Sequence, residues 1–517
     1  MVRVVPSWRA ALAMAAAFSL AACSTLPPGV ERTESRAYVD TSATRLGQSV
    51  APRVAAHPGL TGVFPVPVGR EAFAARVLLA RAAERSLDVQ YFIWHADTSG
   101  SMLARALWGA AERGVRVRML IDDANTQGED DVIATLASHA HIEVRLFNPF
   151  ANRAWRAGDW AMDFSRVNRR MHNKSFTADN QVAVVGGRNI GDEYLGADSA
   201  VAFTDLDVLL AGAAVQSVSA EFDAYWNSAS AYPARAVVPP ATPETVTSML
   251  ERWERRIASP EARAYVDAVA ATPIVPGILT GTLAFDWVPA RVIHDDPAKV
   301  LHPPDRADLR MAPRLAEALG QPVAEVDLVS PYFVPTEEGT AALVALADRG
   351  VKVRVLTNSL EATDVPPVYA SYSKYREELL RHGVRLFELK RSAEPAGSTG
   401  EERETRSAAA LHAKTFAVDR KRIFVGSFNL DPRSARLNTE MGVVLESATL
   451  ASRLAHAFDD EVPRLAYEVR LGPEDQRLQW VEQAASGVVI HVTTPGTSPL
   501  RRFWIGFLSV LPIEWLL

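Results

Sequence analysis

Short apolar runs alternate with longer stretches of helical spacing along most of this chain. Leu87-Asp88-Val89-Gln90-Tyr91-Phe92 predicts a strand, residues 102–112 a helix, and Val115-Arg116-Val117-Arg118-Met119-Leu120 a second strand. Ile142-Glu143-Val144-Arg145-Leu146-Phe147 predicts a third. The same order returns with Val326-Asp327-Leu328-Val329, a helix at 340–348, Val351-Lys352-Val353-Arg354-Val355-Leu356 and Val384-Arg385-Leu386-Phe387. Gly114 and Gly350 close the two helices. Strand–helix–strand units imply parallel strands joined by right-handed crossovers. The expected fold class is therefore α/β, with two lobes from an internal repeat, each a mixed sheet flanked by helices.

The pattern also sets boundaries. Residues 1–22 carry Arg3 and Arg9, then an apolar run at 10–20 that is shorter than the about 20 residues a membrane span needs. This predicts a signal peptide. Leu20-Ala21-Ala22-Cys23 resembles a lipobox, which implies lipidation at Cys23 and a membrane-anchored lipoprotein on the extracytoplasmic, periplasmic side. Ser24 points to the outer membrane only weakly, so inner or outer stays open. Residues 23–58, rich in Pro, Ser, Thr and Arg, are expected as a lipid-anchored tether. Beyond it come a first lobe at 59–230, a helical connector at 231–300, a second lobe at 301–470 and an apolar tail at 471–517. Within that tail, residues 502–508 suit a membrane interface and 511–517 a seat on the body. Residues 393–409 predict a solvated loop.

Composition changes the picture in two respects. A chain of 517 residues that is 48% hydrophobic and 22% charged is long enough for two cores and is not disordered. Its single cysteine excludes an intramolecular disulfide and a multi-cysteine metal site. Net charge is −6, and −8 once Arg3 and Arg9 leave with the leader, which excludes a uniformly basic nucleic-acid surface.

Each repeat ends in the same polar pattern. Met171-His172-Asn173-Lys174-Ser175-Phe176-Thr177-Ala178-Asp179 and Leu411-His412-Ala413-Lys414-Thr415-Phe416-Ala417-Val418-Asp419 are both His-x-Lys-x4-Asp. Each runs on to a small-residue turn, Gly186-Gly187-Arg188-Asn189 or Gly426-Ser427-Phe428-Asn429, with Asn 17 positions after His. Residues two apart in a strand share a face, so His172 joins Lys174 and His412 joins Lys414. A return strand brings Asn189 and Asn429 toward their own histidines. Asp179 and Asp419 fall at the turns and are expected to hold the basic groups. Gly187 and Ser427 are expected to let backbone approach a substrate. One half-site offers an imidazole, an ammonium and a carboxamide, suited to an anionic phosphorus centre. Two together can run a phosphodiester displacement: one His attacks, the other moves protons, and the Lys and Asn residues clamp oxygens.

This doubled motif resembles the phospholipase D superfamily, over about residues 73–445. The resemblance implies a phosphohistidine intermediate, no metal or other cofactor, and a site at the pseudo-twofold interface of the lobes. It implies an acid orienting each His: Glu440 in Asn438-Thr439-Glu440, and Asp207 in Thr204-Asp205-Leu206-Asp207. It also implies His172 as nucleophile and His412 as acid and base. Gly187 in place of a serine leaves the halves unequal, as distinct roles require. Gly186-Gly187-Arg188-Asn189-Ile190-Gly191-Asp192-Glu193-Tyr194 is similar to the first site of bacterial cardiolipin synthases. Thr357-Asn358-Ser359-Leu360-Glu361-Ala362-Thr363-Asp364 and the last seven residues are similar to the cardiolipin synthase C group, where a His often stands at the place of Tyr369.

That resemblance implies phosphatidyl transfer making cardiolipin from phosphatidylglycerol and a second phospholipid. The alternatives are a phospholipase D hydrolase releasing phosphatidic acid and an extracytoplasmic phosphodiesterase or nuclease. Expected partners are phospholipids and the membrane surface, with no nucleic acid; a protein partner is not legible. The other nine histidines are expected in surface or structural roles, including the alternating His139, His141 and Glu143. Arg169 and Arg170 fit a lipid phosphate or a solvated pair equally.

Overall fold

A computed structural model of the chain describes residues 26–197, 201–392, 408–474, 476–484 and 486–517. The leader, Cys23 and residues 393–407 of the expected loop lie outside these residues. In the first lobe the strands are β1 (Thr61–Val66), β2 (Ser86–Tyr91), β3 (Arg116–Asp122), β4 (Ile142–Phe147), β5 (Ser175–Ala178) and β6 (Val182–Gly186). They continue with β7 (Val201–Thr204), β8 (Asp207–Gly212), β9 (Ala231–Pro233) and β10 (Asp286–Val288). All but β7 form a nine-stranded sheet, in order β10-β1-β8-β6-β5-β2-β3-β4-β9.

The second lobe opens with β11 (Ala290–His294), β12 (Glu325–Val329), β13 (Lys352–Asn358), β14 (Arg385–Leu389), β15 (Ala408–Leu411) and β16 (Thr415–Val418). Next are β17 (Arg422–Gly426), β18 (Met441–Leu445), β19 (Ala466–Leu471), β20 (Leu478–Ala484) and β21 (Gly487–His491). Ten of these form the sheet β11-β18-β17-β16-β12-β13-β14-β19-β20-β21, and β15 pairs with β7 of the other lobe.

The repeat is visible in the register. β2, β3 and β4 run parallel, as do β12, β13 and β14. The hairpins β5–β6 and β16–β17 lie antiparallel against β2 and β12. Asp88 sits opposite Arg118 and Asp327 opposite Arg354, and both pairs close buried salt bridges at 2.7 and 2.6 Å. The crossover helix Thr98–Glu112 starts at Asp97, whose carboxylate accepts the Gly100 N–H, and buries Leu103 and Leu107 against the sheet. Gly114 and Gly350 take φ of 90° and 85°, the left-handed turn that returns each helix to its sheet.

The lobes meet along an apolar layer. Val63, Val185, Val208 and Leu210 of one pack with Val425, Met441, Val443 and Leu445 of the other. Burying such a surface is the main force holding the halves together.

Three expected boundaries shift. The described part of 23–58 is not a free tether: Arg32 donates to the carbonyls of Ala229 and Ala231, Ala37 N–H to Asp223, and Arg45 pairs with Glu84. The connector is not separate, because its helices Pro243–Ile257 and Pro260–Ala270 put Met249, Trp253 and Tyr265 into the first core. The tail contributes β20 and β21 to the second sheet. Among the described residues, no helix is long and apolar enough to cross a membrane.

Candidate active site

His172 and Lys174 lie in the extended segment just before β5, and His412 and Lys414 just before β16. The end of the middle parallel strand, β3 or β13, pins each segment: Asp122 accepts the Met171 N–H at 2.7 Å, and Asn358 accepts the Leu411 N–H at 2.9 Å. Neither residue was assigned this anchoring role in the sequence, although each closes the second parallel strand of its lobe.

The motif backbones pair across the lobes. His172 N–H donates to Thr439 O at 2.8 Å, and His412 N–H to Thr204 O at 2.8 Å. The residue after each acceptor is an acid aimed at the imidazole. His172 Nδ1 lies 2.8 Å from Glu440 Oε2, and His412 Nδ1 lies 2.6 Å from Asp205 Oδ2. Each ring is therefore oriented by the carboxylate of the opposite lobe. A carboxylate only accepts, so it fixes the proton on Nδ1 and turns Nε2 outward.

Asp207 is a correction. β6 pairs Gly186 with Asp207, and β17 pairs Gly426 with Gly442, so the counterpart of Glu440 is Asp205. Asp207 instead holds the Arg76 guanidinium at 2.8 Å and the Arg188 N–H. A signal was present: both acids follow a threonine, in Thr204-Asp205 and Thr439-Glu440.

Gly187 and Ser427 also take other roles than expected, since both serve the acids. A Cβ at Gly187 would stand 2.3 Å from Asp205 Oδ1, so only glycine leaves room for that carboxylate. The Ser427 hydroxyl donates to Glu440 Oε2. Ser434 donates to Glu440 Oε1 at 2.7 Å, and Asp295 accepts the Glu440 N–H at 2.8 Å.

Asp179 and Asp419 do not hold the basic groups. Four strand residues at about 3.3 Å each separate them from the lysines. Asp179 accepts the N–H groups of Glu84, Arg85 and Ser86, and Asp419 those of Val323, Ala324 and Glu325. They staple each hairpin to the start of β2 or β12. Asn189 accepts the Ile93 N–H and leaves its buried Nδ2 without a close acceptor. Asn429 is buried, and its N–H donates to Ser434 Oγ.

Burial dominates the electrostatics of the site. Burial pushes His172 down to about 4 and His412 down to about 3, and in both cases Lys174 and Lys414 add to the depression while the facing carboxylate opposes it. Each lysine thus acts on both imidazoles, in keeping with the crossed hydrogen bonds that tie the two half-sites together. Lys414 is pushed down to about 8 and Lys174 well below its ordinary value, again by burial. Lys174 donates to His172 O at 2.6 Å, and Lys414 donates to His412 O. Asp205 and Glu440 stay ionised against burial, chiefly through the histidines they face. Phe92 stands edge-on to His172 at 5.0 Å, and Tyr194 to His412 at 5.1 Å. The histidines keep only 7% and 6% exposure, and Lys174 and Lys414 are buried beneath them.

Behind this layer, Asn173 bridges the lobes, accepting from Thr439 Oγ1 and donating to Glu221 at 2.7 Å. Burial raises Glu221 to about 8. Arg170 is neither solvated nor free for a lipid phosphate, since it is bound to Asp122 and Asn148 O; Arg169 donates to Val300 O and His302 O. Tyr369 lies in the second core on Glu388 and Arg376. Among the described residues, His95, Asp97 and Glu193 come close enough to hold a metal, but Asp97 already accepts from Gly100 N–H and Asp192 N–H.

Comparison with known proteins follows this geometry. A family described as "Cardiolipin synthase, PLD-like domain" matches twice, over residues 78–226 and 315–462. Cardiolipin synthase C of Escherichia coli strain K12 is 44% identical over 476 residues, covering 92% of this chain and all of the relative. Cardiolipin synthase A of Pseudomonas entomophila strain L48 is 29% identical over 76% of this chain and 67% of its own. The crystal structure of phosphatidylserine synthase from Haemophilus influenzae Rd KW20 shares the fold, with a TM-score of 0.55 at 15% identity, over 91% of this chain and 100% of that one. The twofold family match, one copy on each motif-bearing lobe, makes this chain a member of the cardiolipin synthase group of phospholipase D-like proteins.

Proposed function

We propose that the protein transfers a phosphatidyl group between phospholipids, making cardiolipin with phosphatidylglycerol as acceptor. The crossed histidine–acid pairs carry this reading, because each lobe orients the other's imidazole and so ties both half-sites to the interface between the lobes.

His172 Nε2 attacks the phosphorus of the donor lipid, and the bond to the headgroup oxygen breaks. His412 gives that oxygen a proton. The headgroup leaves, and phosphatidyl-His172 remains. A phosphatidylglycerol hydroxyl then attacks phosphorus, its proton passes to His412, and the P–N bond breaks. A phosphodiester entering the cluster supplies the negative charge it lacks and raises both depressed histidines, so substrate itself prepares His412 to act as the acid. Lys174, Lys414 and Asn189 neutralise the non-bridging oxygens. The similarity to cardiolipin synthase C supports the choice of acceptor. We place the protein outside the cytoplasm, held to a membrane by an acylated Cys23; the lipobox-like Leu20-Ala21-Ala22-Cys23 supports this.

The test supplies vesicles with labelled phosphatidylglycerol and separates the products. Cardiolipin is expected, and none from His172→Gln. Phosphatidic acid alone would show that water is the acceptor.

A further inference from the structure

The helix Pro499–Ser509 is seated by one side only. Ile505 is buried in the second core and Leu508 packs against it. The opposite side stays out: Phe503 is 66% exposed, Trp504 53% and Phe507 48%. Their spacing makes one helical stripe. Beyond it Trp515, 63% exposed, meets Phe164 at 6.3 Å, and Phe164 meets Trp160 at 5.8 Å. Chain segments more than three hundred positions apart thus meet in one aromatic contact.

We propose that this aromatic surface seats in the headgroup region of an anionic lipid bilayer and holds the active site beside it. The inference rests on the phospholipid reading above and adds which face meets the membrane. Four observations select a bilayer as the occupant. The exposed side chains are Trp and Phe, which favour the membrane interface, on a short amphipathic helix. Arg501 and Arg502 begin that helix, and Glu514, the one acid in residues 498–517, pairs with Lys374 at 2.8 Å while Asp163 beside Phe164 pairs with Arg166, so the segment is cationic in an acidic chain. Arg433 joins the surface to the site, donating to Leu516 O and to Asn168, four residues before His172. Finally, Arg32 is already bound to the body, only nine positions after Cys23, a reach of about 30 Å. The acyl chain proposed above for Cys23 would keep the body at the bilayer surface.

The test uses the full chain in vesicles of phosphatidylethanolamine with a minority of phosphatidylglycerol. An environment-sensitive fluorophore is placed on Phe503→Cys and on Val323→Cys, with the unsubstituted chain as baseline. Val323 lies beside Asp419, at the far end of the hairpin from His412. The label at 503 should shift to the blue and be quenched by lipids carrying a shallow spin label, while the label at 323 should do neither. The double substitution Phe503→Ser with Phe507→Ser spares Ile505 and Leu508. It should cut turnover on vesicles about tenfold and leave turnover of monomeric short-chain phosphatidylglycerol unchanged. An unquenched label at 503, or undiminished vesicle turnover, overturns the proposal; a blue shift without quenching assigns the surface to a protein and overturns it too. Failure of the unsubstituted chain to act on the short-chain lipid would instead count against the transfer reaction, leaving the quenching result intact.

Discussion

Asp205 and Asp207 stand two positions apart and hold different partners. Asp205 faces His412, whereas Asp207 closes a buried pair with Arg76. Asp205→Asn should therefore lower turnover by at least a hundredfold with little change in melting temperature, because the amide keeps the volume but not the charge that supports the imidazolium. Asp207→Asn should weaken a buried ion pair and cost about 3 kcal/mol of stability, visible in a denaturant titration. Glu221 gives a pH test. Its folded value of about 8 lies above the ordinary carboxyl value, so the folded state holds the extra proton, and stability falls as pH rises through that interval. Glu221→Gln keeps the acceptor for Asn173 and removes the titration. Its melting temperature should gain a few degrees over wild type at pH 8.5 and match it at pH 5. The histidines and lysines were legible because the same polar pattern occurs twice among apolar residues. Asp205 was misread as Asp207 because two acids in alternation look alike until the pairing of β6 with β8 fixes the register.

Among the elements, the three parallel strands of each lobe and both hairpins were legible from apolar runs and turn residues. β20 and β21 were not, since no counterpart in the first repeat marks them. The helix Pro243–Ile257 looked like a connector because its second half carries many charges, and only Met249 and Trp253 are fully buried on its inner side. The repeated Asp–Arg pairs on neighbouring strands make a further prediction. Asp327→Ala takes two charged hydrogen bonds from the buried Arg354, which keeps Asp459 as a partner, and should cost about 2–3 kcal/mol. Replacing both by apolar residues of similar volume should recover most of the loss, as read by chemical denaturation. At the turns, Gly187→Ala should displace the Asp205 carboxylate and lower kcat at least tenfold with KM little changed, since the methyl has no room.

For the whole molecule, a shared site between the lobes was legible from the doubled motif, but the exchange of acids was not: each lobe carries a His whose acid belongs to the other. Nothing local to either motif encodes that exchange; it follows from the pairing of β7 with β15 and of Met171 with Thr439 across the interface. A chain divided between β10 and β11 should give two inactive halves that recover activity when expressed together, measured as cardiolipin formed. The most direct measurement is a crystal structure with orthovanadate. One vanadium should sit between the lobes, with His172 Nε2 on one side of it and His412 Nε2 within hydrogen-bond distance of the oxygen on the other. Two vanadates, each held by the His and Lys of a single lobe, would contradict the account.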